Sequence, residues 1–553
     1  MGRSLLPRRS RTHSLTLVHP IWQDVMHQLL DAIGTYTCIC LVPVFDESNT
    51  TRLRLTTTAT HATVTDRTDT TAGSPHKGLR TVHVAGTKGK GSTVAFLERI
   101  LMESGYRVGA YTSPSLRSVG EMFRLGGREA TEAEVDTVLA AVKAGVEAGG
   151  LRPSYFEVVT AGAFKYFREA GVDVAILEAG LGAVRDATNV LDAGALDLGV
   201  VTGVGMEHVG ALGGSIEEIA RAKSGVFKEG KVGVVGRQAE GVAEAVLLLE
   251  ASEKRVKTYR VEAVVDFHVE EGAVVSVGEG REGNEGCQTR VQNGVTFRVP
   301  AELAGATFGD GATDENGDPE AGEPWEFDVQ LSLVGKHQAS NAATAIASAM
   351  ALKNDSGYER ISKASIVAGL ERATLPGRFQ VIDDVRLGGG GGEGDGEGDG
   401  GSGDGPGSKR VLTVVDGAHT RDSARCAAET VRQLFPDSKL AVVIAMASDK
   451  DHEGFCSEIQ KARPNVVVFT ETPIAGGRSR TAGPGALAGA WQVAKMKNRD
   501  IDRTWRCREL IQANVQSALA KARHELSGEA ASEAAPSVIL VTGSLHACEA
   551  AST

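Results

Sequence analysis

The 553-residue chain contains no apolar run long enough to cross a bilayer, so a membrane-spanning segment is not expected. It has no surplus of positive charge: 59 Lys and Arg stand against 71 Asp and Glu, a formal net charge of −12. A protein that binds nucleic acid as its main partner usually presents a basic face, so that class is disfavoured. The seven cysteines (Cys38, Cys40, Cys287, Cys426, Cys456, Cys507, Cys548) are scattered and odd in number. They make no disulfide framework, which suits a reducing compartment, and the Cys38-Ile39-Cys40 pair has no second Cys/His pair at zinc spacing. Acids are missing from "MGRSLLPRRSRTHSLTLVHP", which carries four arginines. That composition suits an organelle-targeting presequence or a basic tail, so the compartment is read as cytoplasmic or mitochondrial.

What the chain does have is length for two or three domains and a pattern to fill them. Residues 47–75 are Thr-rich without strand or helix period and read as linker, and residues 1–75 as a divergent, disordered extension. From residue 81 strands and helices alternate. Continuous Val/Ile/Leu strands such as "VDVAILEAGLG" and "DLGVVTGVG" predict an α/β fold with a parallel sheet covered on both faces. Residues 260–333 switch to short alternating strands, and a second α/β series follows residue 372. The expected division is a large P-loop ATPase domain at 76–372 and a smaller Rossmann-like domain at 373–553. Within the latter, the acidic, Gly-rich segment 387–408 cannot pack a core and reads as a loop between the hairpin strands "RFQVI" and "VLTVV".

In "VHVAGTKGKGSTVAFLERIL" (82–101) a strand passes through glycines into a helix, the usual cradle for phosphate. The spacing differs from the common nucleotide loop, because Gly91 separates Lys90 from Ser92. Ligands of such sheets sit at the carboxyl ends of the strands, and Gly86, Ser113, Glu178 and His208 fall at or just after such ends.

Eight blocks then occur in one order: "GTKGKGS", "YTSPSL", "LEAGLGAVRDATNV", "GMEHVGALGGSIEEIARAKSGVFK", "GKHQASNA", "LPGRFQ", "DGAHTRDSA" and "VTGSL". Together they resemble the folylpolyglutamate synthase and dihydrofolate synthase family of the Mur-ligase-like superfamily, across residues 81–553. The resemblance implies an ATP- and Mg²⁺-dependent ligase. A pteroate or folate carboxylate becomes an acyl phosphate, and the amine of L-glutamate displaces phosphate to form an amide. It implies a phosphate-binding turn at Gly89, Lys90, Gly91 and Ser92, and Mg²⁺ ligation by Ser113, Glu178 and His208. Lys223 matches a lysine carbamylated in many relatives, which would supply a second metal site. Lys90, Glu178, His208 and Lys223 form the implied catalytic set, and Asn341, Arg378 and Asp416 match ATP contacts, with His419 a motif member of open role. Ser154, Tyr155, Phe156 and Glu157 lie where bacterial members hold dihydropteroate. Ser154 and Glu157 equally form a capping box, and the two readings are compatible.

Simpler readings exist for each residue. Glu178 suits a strand-end acid capping a helix, His208 a structural histidine, and Lys223 a helix lysine facing solvent, as Lys228 is expected to do. Departures from the family pattern are Ser115 for His, Ala183 for Gly, Arg185 displaced beside Asp186, and Thr420 for Asn. Residues 1–75 do not resemble the family's helical lead-in. "EAGLGA", "DGAHT" and "ASDKDH" tilt the reading toward a plant-like dihydrofolate synthase acting as a monomer, with folylpolyglutamate synthase the alternative within the family. A guanine-nucleotide switch lacks its Asn-Lys-x-Asp signature, a degenerate binding protein would not keep the charged set, and a cell-wall Mur ligase would carry a UDP-sugar domain ahead of the loop.

Overall fold

The computed structural model describes residues 21–35, 74–115, 117–270, 274–278, 288–304, 324–387, 409–474, 480–498, 504–527 and 536–552. The basic first twenty residues, most of the Thr-rich stretch, Cys38, Cys40, Cys287 and the 388–408 segment lie outside them.

Eight strands make the first sheet: β1 (Thr81–Ala85), β2 (Val108–Tyr111), β3 (Phe123–Leu125), β4 (Arg128–Glu129), β5 (Val174–Glu178), β6 (Leu196–Val201), β7 (Val232–Val235) and β8 (Lys257–Arg260), in the order 4-3-2-5-1-6-7-8. The six from β2 to β8 along that order run parallel, whereas β3 pairs antiparallel with both β2 and β4. The central β1, β2 and β5 are buried along their whole length, as their unbroken Val/Ile/Leu pattern requires. A four-stranded antiparallel sheet follows: β9 (Asp266–Val269), β10 (Val274–Gly278), β11 (Gln288–Val299) and β12 (Trp325–Leu331).

The third sheet holds β13 (Gln380–Leu387), β14 (Lys409–Val415), β15 (Leu440–Ile444), β16 (Val466–Phe469), β17 (Arg508–Ile511) and β18 (Ser537–Thr542), in the order 13-14-18-15-16-17. β13 and β14 pair antiparallel with Leu387 opposite Lys409, so the chain leaves and re-enters the sheet at one point around the Gly-rich segment. The other strands are parallel.

The N-terminal expectation needs correction. Helix α1 (Ile21–Thr35) buries Met26, Leu29 and Leu30 in one apolar cluster with the helices α3 (Glu132–Gly149) and α4 (Tyr155–Ala170). Each such side chain is worth about 2 kcal/mol of burial. Ser74 and His76 are also buried, and Ser74 donates to Asp31. The stretch before residue 76 therefore contributes a helix and its tether to the first domain. Its signal was the fifteen-residue amphipathic stretch "IWQDVMHQLLDAIGT".

Candidate active site

The glycine-rich turn is built by β1, residues 86–89 and helix α2 (Lys90–Glu103). Its first half is fastened down. Thr87 N and Lys88 N both donate to Gly203 O at 2.8 and 3.2 Å, and Thr202 Oγ1 donates to Lys88 O at 2.7 Å. Gly89 then turns into the helix at φ 88°, where a Cβ would also collide with the Asn341 side chain. Only glycine meets both demands. Gly89 is the N-cap and Lys90, Gly91 and Ser92 are the first three helical residues. No side chain caps this terminus, so its leading N–H groups face outward, a ready anion site. The variant spacing thus places Lys90 in the first helical turn.

Charged side chains gather behind this turn. Lys90 Nζ and Lys223 Nζ both donate to Gly86 O, at 3.2 and 2.8 Å. Lys90 stands 3.7 Å from Glu178 Oε1, and Ser113 N donates to Glu178 Oε2 at 3.4 Å. Glu178 closes β5 and is buried; burial raises its pKa, against the pull of Lys90. Lys223, at the end of the helix Ile216–Lys223, is buried as well. Burial, and then the neighbouring Lys90, bring its amine down to about 7. The expectation that Lys228 faces solvent is wrong: it donates to Asn189 at 2.8 Å, and burial lowers its amine to about 8.

His208 is exposed, in left-handed conformation at the N-cap of the short helix Val209–Leu212. Partial loss of solvent around the ring, opposed by Glu207 and reinforced by Lys223, Lys90 and Lys450, lowers its pKa. Lys88 pairs with Glu207 at 3.2 Å. Asp186 organises the loop after β5, accepting from Leu181 N at 2.7 Å and from Thr188 Oγ1 at 2.6 Å; Thr188 meets the buried His83 Nε2 at 2.7 Å.

The second domain contributes from the opposite wall. Arg378 lines a cleft of about 190 Å³ together with Gly91, Ser113, Glu178 and Leu545. Asp416 follows β14 and is already engaged. Its oxygens accept from Phe379 N at 3.0 Å and Ala418 N at 2.9 Å, tying the linker to the strand end. His419 Nδ1 lies 2.9 Å from Gly417 O, and Thr420 caps the helix Arg421–Leu434 through Ser423.

The sequence-predicted set is therefore brought together in unequal measure. Lys90, Glu178, Lys223, Ser113 and the turn converge, with Asn341 against the turn and Arg378 facing it. Ser154 and Glu157 form the capping box of α4, with Ser154 N donating to Glu157 Oε2 at 2.6 Å. Tyr155 is exposed, and Phe156 packs against Gly180 near Asp186; these residues do not line the cleft. Sequence reasoning missed Glu98, Arg99, Arg124 and Arg372 on the cleft wall. An acid and a base inside the apolar helix run "VAFLERIL" were the available sign.

Two family models match this architecture: the Mur ligase middle domain over residues 84–289 and the Mur ligase glutamate ligase domain over 406–545. The chain is 31% identical over 393 residues to a Bacillus subtilis dihydrofolate synthase/folylpolyglutamate synthase, covering 70% of this chain and 76% of the relative. The chain belongs to the dihydrofolate synthase/folylpolyglutamate synthase family. Members are ATP-dependent ligases, and ATP with a divalent metal ion fits them as cofactors. A Mycobacterium tuberculosis folylpolyglutamate synthase complexed with ADP and AMPPCP is similar with TM-score 0.63 and 25% identity, over 87% of this chain and 91% of that one. Escherichia coli FolC in complex with DHPP and ADP gives 0.60 and 26%, over 85% and 87%. The α/β class with a separate C-terminal sheet is that of the family.

The site's donors suit a divalent ion shared with phosphate. Among the described residues no three His, Cys, Asp or Glu side chains cluster as a metal cage. Mg²⁺ bound beside a nucleotide needs only one or two carboxylates plus phosphate and water. Glu178 offers such a carboxylate: buried, with no closer cation than Lys90 at 3.7 Å. No helix among the described residues is long and apolar enough to cross a membrane.

Proposed function

We propose that this family member is a dihydrofolate synthase, joining dihydropteroate to L-glutamate at the expense of ATP. The observation that carries the ligase chemistry is the buried Glu178 and Lys223 with the half-buried Lys90, gathered near Gly86 O against an uncapped helix terminus. A buried amine and a partly buried one beside a buried anion, in partial contact, are costly alone and are balanced by a polyanion with its metal. The motif variants "EAGLGA" and "DGAHT" support dihydropteroate as acceptor of glutamate.

In this reading the N–H groups of Gly89 to Ser92 hold the phosphates, Lys90 neutralises the β/γ oxygens, and Arg378 reaches them from the far wall. A pteroate carboxylate oxygen bonds to the γ-phosphorus as its bond to ADP breaks. Glutamate nitrogen then bonds to the acyl carbon, phosphate leaves, and the amine proton is lost. Ser113, Glu178 and His208 would hold Mg²⁺, which supplies charge neutralisation between carboxylate and triphosphate. Lys223, held near neutral pKa, is positioned to take up CO₂ as a carbamate, a carboxylate for a second ion. Asn341 fixes the turn, and Asp416 holds the linker so that Arg378 points across the cleft. Phe156, beside Gly180 and Asp186, is the candidate ring contact for the pterin, while Ser154 and Glu157 shape the helix that carries it. The enzyme is read as a monomer without nucleic-acid partners.

Purified enzyme offered dihydropteroate or tetrahydrofolate, each with ATP and labelled glutamate, tests this. Faster incorporation with dihydropteroate is expected; incorporation with tetrahydrofolate alone would make it a folylpolyglutamate synthase.

A further inference from the structure

The strands β2 and β5 run parallel with Tyr111 opposite Leu177, and their ladder ends there. One step further on, Ser113 N meets Glu178 Oε2 at 3.4 Å, longer than an ordinary hydrogen bond. Whatever fixes residues 112 and 113 therefore sets how this strand end meets Glu178. The backbone contributes a bond from Thr112 N to Met122 O, and at 3.4 Å it is also long.

Side chains supply a firmer hold. In the antiparallel pair of β2 and β3, Arg124 stands opposite Ala110. Side chains alternate along a strand, so Thr112 continues the face of Val108 and Ala110, which Phe96, Leu97 and Ile100 of α2 cover. Arg124 reaches two residues past its strand partner and donates from Nη1 to Thr112 Oγ1 at 3.0 Å. Its other nitrogens are held by α2, where Nε and Nη2 donate to Glu98 Oε2 at 3.0 and 2.8 Å. Both partners are nearly dry, with side-chain exposures of 13% and 6%. A chain of contacts thus runs from Glu98 through Arg124 to Thr112, and along the backbone to Ser113 and Glu178.

A salt bridge that only stitched α2 to β3 would use these groups differently. Burying two charges costs about as much as pairing them returns, so such a pair adds little to stability by itself. A guanidinium fork fits both oxygens of a carboxylate best. Here two donors crowd onto Glu98 Oε2, and Oε1 stays buried without a partner among the described residues. The third donating nitrogen turns instead to a neutral hydroxyl beside Ser113.

We propose that Arg124 is a positioning residue: anchored by Glu98, it holds Thr112 and so fixes Ser113 against Glu178. The inference rests on the ligase reading and gives Arg124 its part in that centre through Thr112. Lysine cannot replace it, because a single ammonium lacks the fork that spans Glu98 and Thr112. Serine can replace threonine, since the hydroxyl oxygen is the group used; valine keeps the shape and loses the acceptor.

The test is steady-state kinetics and thermal unfolding of the full chain with Thr112→Val, Thr112→Ser, Arg124→Lys and the double variant Thr112→Val/Arg124→Lys. Arg128→Lys is the control, since its ion pair with Glu134 lies on the neighbouring β4 and is half exposed. Thr112→Val leaves the Arg124–Glu98 pair in place and should melt close to the parent. For labelled-glutamate incorporation, kcat should fall about tenfold in Thr112→Val and in Arg124→Lys, with KM for ATP within about twofold. The double variant should fall no further than either single one, because both break the same link. Thr112→Ser and Arg128→Lys should keep kcat close to that of the parent. Unchanged kcat in Thr112→Val or in Arg124→Lys overturns the proposal while the ligase reading stands. So does a double variant whose two losses multiply, the mark of independent structural defects. A parent that incorporates no glutamate with either dihydropteroate or tetrahydrofolate overturns the ligase reading and this inference with it.

Discussion

The two parallel sheets end toward the same cleft but dress their ends differently. At the first sheet, charge is left in tension: Lys90 and Lys223 share one carbonyl, and the buried Glu178 has contacts no shorter than 3.4 Å. At the second sheet, charge is settled: both Asp416 oxygens accept backbone N–H groups, and His419 and Thr420 are used in local turns. On the proposed function, the first region awaits a ligand, and the second fixes the geometry with which Arg378 would meet it. Substitutions in the first should abolish chemistry with little cost to folding; substitutions in the second should loosen binding.

The largest effect is expected at Lys90. Lys90→Ala removes the cation that the proposed function sets at the phosphates and should lower kcat/KM about 10³-fold, measured as glutamate-dependent phosphate release. Lys223→Ala follows, with a fall of about 10²-fold in acyl-phosphate formation, while nucleotide binding holds. Arg221→Ala is the control, since its side chain is exposed and paired with Glu250. If the two variants are equally active, the buried lysine has no chemical task.

Asp416→Ala sharpens the other side of the contrast. It frees Phe379 N and Ala418 N, and should raise KM for ATP about tenfold with a smaller change in kcat. A loss as deep as that of Lys90→Ala would place Asp416 in the chemistry.

Acid should separate the regions next. In the first, burial holds His76 at about 4, His83 at about 3 and His337 at about 4. Unfolded histidines take up protons near pH 6.5, and these do so only below about 4, so the unfolded state binds more protons between those limits. Stability of the first region should therefore fall as pH drops from 6.5 toward 4. Hydrogen exchange should show its strands opening before β14, β15 and β18. Opening of the second sheet first would contradict this.

The smallest effect is expected from replacing residues 389–407 with a short turn, because Leu387 and Lys409 are already paired neighbours. Activity and melting temperature should stay close to those of the parent.

Much of this was legible in the chain because local pattern and tertiary demand agree. The strand–Gly–helix block locates the glycine turn between β1 and α2, and the apolar "VAIL" locates a buried strand ending at Glu178. Where meaning depends on distant partners, reading along the chain fell short. Lys228 reads as a solvent-facing helix lysine until Asn189 is seen against it. Helix α1 packs against α3 and α4, about a hundred residues on, and nothing in its own sequence announces those partners. Glu98 and Arg124 make sense only as a pair brought together by α2 and β3.

On the proposed function, the charge held near Gly86 serves ATP-driven amide formation with glutamate. Its most direct measurement is phosphate release by the purified chain with ATP, Mg²⁺ and dihydropteroate, with and without L-glutamate, alongside labelled-glutamate incorporation. Glutamate should stimulate release, with one phosphate appearing per glutamate incorporated. Phosphate release that glutamate does not change, with no label in product from either dihydropteroate or tetrahydrofolate, would contradict it.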